Sequence, residues 1–326
     1  MNRNRVNKKR MGGARGLSRA AAGMLAAALC FQPMTALAGP AGDSSLTSSS
    51  SNAGPGGGSG SSNSGSTGSF GGSTSVSNGS VSAVTSGLGV YRVTENEGIG
   101  AIARGVDVSY WQQNVNWSQV ASDNVQFAML ATRFRGNVDP FFAMNAANAS
   151  QAGLRLGAYI YSYATSVEMA QQEADFVLDL IKDYPISFPV VFDAEDANTL
   201  GTLTPSQVSD VINAFCKRIQ DAGYYPMVYA NEYWIANKID MSKISYDMWV
   251  AKYQQKYTYS KTSMWQASNT GSVKGVNGNV DIDYLYKDYT QIIPGNTWRT
   301  IAGNRYYYQN HVMQKLAWIN DGQNWY

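Results

Sequence analysis

The chain of 326 residues has a single histidine, His311, and only two cysteines. The shortage of histidine excludes a good deal. A Ser-His-Asp or Cys-His arrangement needs an imidazole beside its nucleophile, and none stands between Met1 and Asn310. Histidine-based metal sites are disfavoured for the same reason. Cys30 and Cys216 are too few for a disulfide framework or a thiolate zinc cluster. Any hydrolytic chemistry therefore has to run on carboxylates, tyrosines or lysines, and no metal or cofactor is expected.

An excess of charge is also missing. The net charge of +2 does not describe a strongly basic nucleic-acid binder, and no nucleic-acid partner is expected. The balance hides an asymmetry. Arg3, Arg5, Lys8, Lys9, Arg10, Arg15 and Arg19 precede any acid, and removing these seven cations leaves about −5 for the remainder. After them comes a short apolar stretch, residues 20–31, and then Ala36-Leu37-Ala38. A basic start, a short apolar centre and a small-residue site have the form of a secretory leader. The stretch is shorter than the ~20 residues a membrane helix needs. Residues 1–38 are thus expected to be a leader removed after Ala38. The product would be secreted or cell-wall associated, without a membrane span. Cys30 would leave with the leader, and Cys216 would be a small buried residue of an amphipathic helix.

Residues 39–99 are expected to be a flexible tether, because Gly and Ser dominate from Gly39 to about Gly89 and cannot bury enough apolar surface to offset chain entropy. From about residue 100 to residue 287 the composition is that of a folded domain. Short apolar runs begin at Gly105, Phe127, Leu156, Pro189, Pro226, Met248, Met264 and Gly278. Helical stretches separate the first five. One runs from about Val167 to Asp183; another starts at Thr204-Pro205-Ser206-Gln207, which supplies an N-cap, a proline at the first helical position and a capping-box glutamine, and ends at Gly223. Alternating strands and helices imply a mostly parallel sheet. Eight strands in so short a span suggest an α/β barrel of irregular TIM-like form, five βα units followed by three strands with little helix between them.

The sharpest cluster of chemistry is Val190-Val191-Phe192-Asp193-Ala194-Glu195-Asp196. Side chains two apart on a strand share a face, so Asp193 and Glu195 should project together. At the C-terminal end of a barrel strand they would lie where catalytic residues collect. Two close, partly buried carboxyls do not both ionise easily, and one is left protonated as a general acid. Glycoside hydrolysis needs such an acid and a negative partner. The plainer alternative is a solvated acidic turn. Asp107 ends the first strand candidate and Asp281 lies in the last. In a closed barrel these strands are neighbours, which would bring the two acids together; the alternative leaves Asp283 in solvent and Asp281 capping a turn. Aromatics near these acids can stack on sugar rings, and Tyr161 and Trp265 are expected to line the cleft.

Five stretches resemble, in order, those of glycoside hydrolase family 25, the Chalaropsis-type lysozymes. They are Gly105-Val106-Asp107-Val108-Ser109-Tyr110-Trp111-Gln112, Gly157-Ala158-Tyr159-Ile160-Tyr161, Phe192-Asp193-Ala194-Glu195, Met227-Val228-Tyr229-Ala230, and Trp265-Gln266 followed by Gly278-Asn279-Val280-Asp281. The resemblance covers about Ala103 to Tyr286. It implies the (β/α)5(β)3 barrel and cleavage of the β-1,4 bond between N-acetylmuramic acid and N-acetylglucosamine in bacterial cell-wall peptidoglycan. By position it implies Glu195 as general acid, Asp193 as stabiliser of the substrate acetamido group, and Asp107 and Asp281 as further acids of the cleft. Tyr161, Tyr229, Trp265 and Gln266 become the candidate substrate contacts. Where many members carry a histidine, this chain has Ile160.

Residues 288–326 have a third composition. Trp298, Gly303 and Tyr306-Tyr307-Tyr308 are echoed by Trp318, Gly322 and Trp325-Tyr326. The pattern resembles the aromatic-glycine repeats of choline-binding and glucan-binding wall modules, which would imply choline or wall glycan as a partner; a plain β-hairpin packed on the barrel fits equally. For the whole chain the leading reading is a secreted muramidase. The rival is a non-catalytic wall-binding protein on the same barrel, against which the four acids speak, since binding alone needs no raised-pKa acid.

Overall fold

The computed structural model describes residues 82–93, 98–253, 255–320 and 322–326. The expected leader and most of the expected tether lie outside the described residues. The first elements form a hairpin, β1 (Ser82–Ser86) and β2 (Gly89–Val93). The barrel follows with β3 (Ala103–Val108), α1 (Trp117–Ser122), β4 (Phe127–Ala131), the small hairpin β5 (Arg133–Phe134) and β6 (Asn137–Val138), and α2 (Phe142–Gln151). Next come β7 (Arg155–Tyr161), α3 (Val167–Ile181), β8 (Ile186–Asp193), α4 (Pro205–Asp221), β9 (Pro226–Asn231) and α5 (Glu232–Asn237). Strands β10 (Asp247–Ala251), β11 (Thr262–Gly271) and β12 (Val280–Leu285) complete it. A last sheet contains β13 (Thr297–Ile301), β14 (Asn304–Gln309) and β15 (Val312–Met313).

The barrel is closed in the order β10-β11-β12-β3-β4-β7-β8-β9. Seven of its strands, β3, β4 and β7 to β11, are parallel, and β12 runs antiparallel to both β11 and β3. This is the expected architecture of five βα units and three further strands. The helices form as their sequences dictate. Thr204 caps α4 with its side chain on the Gln207 amide, Gln207 returns the bond, and Pro205 occupies the first turn. Gly223, with φ +85°, ends the helix in a conformation that strains any other residue. Cys216 is buried on the apolar stripe of α4.

Two apolar cores result. Helix-facing residues of the strands pack outward, as Phe192 does on Phe215 of α4 at 5.1 Å. Inward-facing Phe127, Met129, Phe188, Met227, Met264 and Leu285 fill the floor of the barrel. Phe127 and Phe188 stack at 5.0 Å across it. Gly105 makes this possible: a Cβ there would lie 2.3 Å from the Phe127 ring. With the lower half of the barrel filled, only its upper rim, at the C-terminal ends of the parallel strands, is left to hold polar groups.

One expectation needs correction, and of the two alternatives for the C-terminal segment the packed β-hairpin is the one present. The tether does not reach residue 99. The hairpin β1–β2 is folded, with Val84 and Tyr91 buried and Asn124 holding both backbone groups of Arg92. The Gly/Ser composition concealed a short alternating strand pair around a Gly-Leu turn. The C-terminal segment forms a sheet packed on the barrel's helices. Buried Arg299 lies between the Tyr224 and Tyr308 rings, 4.1 and 4.4 Å from their centroids, and donates to the Gly223 carbonyl at 3.1 Å. Tyr308 donates to the Lys182 carbonyl at 2.9 Å. Trp318 and Trp325 of the second, partial copy are exposed. Among the described residues, no helix is long and apolar enough to cross a membrane.

Candidate active site

Strand β8 ends at Asp193, which has Tyr161 of β7 and Tyr229 of β9 as its register partners. Asp193 is buried; Glu195, two residues on, is half-buried. The Asn231 backbone N–H, at the N-cap of α5, donates to Glu195 Oε1. Burial is the first cause that raises both carboxyls, and it brings Glu195 to about 7. Asp193 is raised further by the neighbouring Glu195 charge, partly offset by the Glu195 backbone N–H. Asp193 Oδ1 has no hydrogen-bond partner within the protein. The expected pair is therefore present: two adjacent carboxyls, both raised by burial above the ordinary carboxylate range.

The second group of acids forms where the barrel closes. Asp107 on β3 and Asp281 on β12 are direct register partners. Asp283, two residues along the same strand, is 0% exposed and accepts from Trp249 Nε1 at 2.9 Å. Asp281 neither caps a turn nor leaves Asp283 in solvent. Both point inward, as residues two apart on a strand must. Gln266 ties the group together. Its Nε2 donates to Asp107 Oδ2 at 2.7 Å, and its Oε1 accepts from Tyr229 at 2.8 Å and Tyr253 at 2.7 Å. Burial, then mutual repulsion, raises Asp107 and Asp283, and burial brings Asp281 to about 6.

Tyrosines complete the rim. Burial first and neighbouring carboxylates second raise the phenols of Tyr159, Tyr161, Tyr229 and Tyr253, which keeps them protonated as hydrogen-bond donors. Tyr161 donates to Asp196 Oδ2 at 3.2 Å. The other Asp196 oxygen accepts from the Asn198 and Thr199 amides and the Thr199 hydroxyl, at 2.8–3.1 Å. Asp196 thus pins the loop after β8 and orients Tyr161. A buried ion pair, Arg133–Glu173 at 2.7 Å, braces the adjoining loop.

Seven of the eight expected site residues converge on this end of the barrel: Asp107, Asp193, Glu195, Asp281, Tyr161, Tyr229 and Gln266. Trp265 does not. It is 1% exposed, packs in the outer core against Tyr257 and Tyr284, and donates to the Lys252 carbonyl at 2.8 Å. Its neighbour Gln266 takes the inward position, and the inward tryptophan is Trp249, 4.8 Å from Tyr229. Asp283 is a further acid that was not among the expected site residues; Trp249 and Tyr253 belong to the aromatics near the acids without having been singled out. Period-two alternation from Asp281 could have found Asp283. Ile160 faces the outer core, so the residue standing in place of a histidine does not touch the acids.

The model of glycosyl hydrolases family 25 matches residues 106–276, the span that carries all eight of these positions but Asp281. The chain belongs to this family. It is 31% identical over 189 residues to the uncharacterized protein YegX of Escherichia coli K12, covering 55% of this chain and 68% of that one. It is 29% identical over 195 residues to lysozyme M1 of Streptomyces globisporus, covering 55% and 66%. Among solved structures, the spore cortex lytic enzyme SleM of Clostridium perfringens superposes with a TM-score of 0.53 at 21% identity, over 64% of this chain and 77% of that one. The modular autolysin LytC of Streptococcus pneumoniae gives 0.54 at 21%, over 65% and 58%. These two share the fold. The family 25 chain is accordingly a glycoside hydrolase, and the carboxyl groups at the barrel rim are the candidates for its chemistry.

Proposed function

We propose that this enzyme is a muramidase that cleaves the β-1,4 bond between N-acetylmuramic acid and N-acetylglucosamine in bacterial peptidoglycan. The observation that carries the reading is the Asp193–Glu195 pair at the end of β8, with Glu195 held near 7 beside a second buried carboxyl. The similarity to lysozyme M1 supports the substrate class.

Glu195 donates its proton to the glycosidic oxygen as the bond from the muramic acid C1 breaks. Positive charge develops at C1 and the ring oxygen. Asp193 stabilises that charge. In the neighbouring-group form of the reaction it does so through the acetamido group, whose N–H would meet the unpartnered Asp193 Oδ1 while its carbonyl oxygen attacks C1. Water then adds at C1 and returns a proton to Glu195. Asp281, held at about 6, supplies negative potential on the other side of the cleft beside Asp107, and Tyr161, Tyr229 and Gln266 are substrate contacts. A leader over residues 1–38 suits a substrate outside the cytoplasm, and the exposed Trp318 and Trp325 suit attachment to choline or glycan of the wall.

Mass spectrometry of digested, purified peptidoglycan tests the bond. Fragments with new N-acetylmuramic acid reducing ends are expected. New N-acetylglucosamine reducing ends, or no fragments, would overturn the assignment.

A further inference from the structure

The loop after β3 carries an aromatic assembly that the acid chemistry does not use. Trp111, four residues beyond Asp107, is 64% exposed. An exposed tryptophan on a loose loop would be unremarkable, but this one is held from four directions. Ser109 and Gln112 form a reciprocal capping box around the single turn that bears it. The Gln112 side chain donates to the Asn279 carbonyl at 3.3 Å, which ties the turn to the loop just before Asp281. Asp139 is buried and accepts from the Tyr110 and Phe141 backbone amides at 2.7 and 2.9 Å, joining the turn to the loop after β4. Finally, the indole rests edge-on against Tyr110 and Phe134, at 5.6 and 5.7 Å, and those two rings stack on each other at 4.0 Å.

Phe134 is itself presented by a tight device. The β5–β6 hairpin turns through Arg135 and Gly136, both at positive φ, and two such residues match the twist of a two-residue hairpin loop. The Arg135 guanidinium lies over the Phe134 ring at 5.1 Å. The result is a fixed indole at the same rim as Asp107 and Asp281, open to solvent on its remaining surface. Its rigidity means that little side-chain freedom is lost when a ligand covers it. Flat apolar ring faces with a polar edge suit the alternating apolar and hydroxylated surface of a pyranose.

We propose that Trp111, propped on the Tyr110–Phe134 stack, is a sugar-binding platform that extends the cleft and holds a glycan strand beyond the residues undergoing cleavage. The ligand class is a β-linked amino-sugar polymer, because the platform is continuous with the acid-bearing rim; in that sense the proposal rests on the glycan-hydrolase reading above. The platform contributes to binding of long strands and leaves proton transfer untouched.

Two measurements keep this proposal separable from that reading. In an E195Q background, binding to purified peptidoglycan is measured by pelleting for E195Q, E195Q/W111A and E195Q/W111F. The W111A change should weaken binding about tenfold, the size of one good aromatic contact, and W111F should retain most of it. In the active enzyme, KM should fall with oligosaccharide length, W111A should abolish that gain, and kcat on the shortest cleaved substrate should be unchanged. Binding by E195Q/W111A within twofold of E195Q, or an unaltered length dependence, would overturn the platform. A wild-type enzyme that cleaves nothing yet binds through Trp111 would refute the hydrolase reading and support the platform.

Discussion

Asp107 and Asp281 face each other as register partners where the first barrel strand meets the last. Because β12 runs antiparallel to β3, its inward acids descend along the seam from the level of Asp107, the one acid of β3. Asp283 lies one inward position deeper, and Gln266 bridges Asp107 to Tyr229 and Tyr253. The cleft therefore has two acidic walls, Asp193 with Glu195 on one side and this seam on the other.

Glu195→Gln should abolish lysis while leaving the fold intact. A glutamine still accepts the Asn231 amide bond but cannot donate a proton to the leaving oxygen. General-acid removal is worth roughly 10² to 10⁴ in rate. Turbidity loss of a peptidoglycan suspension reads the activity, and a circular dichroism spectrum reads the fold. Wild-type turnover in the variant would end the assignment of Glu195.

Activity should fall as pH rises through about 7, because Glu195 is held up to about 7 and must carry its proton to act. The limb belongs to the carboxyl pair as a whole, since Asp193 and Glu195 interact. The pH dependence of kcat/KM on a soluble glycan measures it. A profile flat from pH 5 to pH 9 would contradict the role.

Stability should respond to the buried acids with a definite sign. Asp283 holds its proton to a higher pH in the folded chain than in the unfolded chain. The native state then binds more protons in the interval above the ordinary carboxylate range, and stability falls as pH rises. The favourable contribution is fully present below about pH 4 and is lost as pH rises toward the folded value. Asp283→Asn keeps an acceptor for Trp249 and removes the titrating group. It should melt above wild type at pH 8 and converge with it near pH 4. Thermal denaturation at the two pH values decides it; a lower melting temperature at pH 8 would be the wrong sign.

Gln266→Leu should destabilise the chain by about 3 kcal/mol. The change strands two phenols and the Asp107 carboxyl that now share one amide. Urea denaturation measures the loss. A change below about 0.5 kcal/mol would mean that the network is not holding the rim.

Arg299→Ala should cost about 2 kcal/mol, and Arg299→Lys should recover little of it. The guanidinium plane fills the gap between the Tyr224 and Tyr308 rings, and an ammonium is a point charge with no plane to stack. Urea denaturation again supplies the value. Full recovery by lysine would show that charge alone suffices there.

Much of this protein was decided locally, within a few residues of chain. The capping box at Thr204, Pro205 and Gln207 works through bonds that close within four residues, so the start of α4 is readable without a fold. The Asp193–Glu195 pair is similar, since two residues of extended chain place both carboxyls on one side. The eight-strand order followed from apolar runs and intervening helices. Other features were settled only by closure of the barrel. Which of Trp265 and Gln266 faces inward depends on strand phase, and the β11–β12 pairing shifts register between Gln266 and Ser268. An indole satisfies either side in sequence; the outer gap beside Tyr257 and Tyr284 took it, leaving the inward position to the amide. Asp283 looked like a surface acid because carboxyls are seldom fully buried, and only the neighbouring strands supplied Trp249 and the seam that hold it there. The platform under Trp111 joins rings from two loops brought together by Asp139, a contact across 29 residues. Local sequence set the elements and the Asp193–Glu195 pair, whereas the packing of distant strands chose which face each polar side chain would serve.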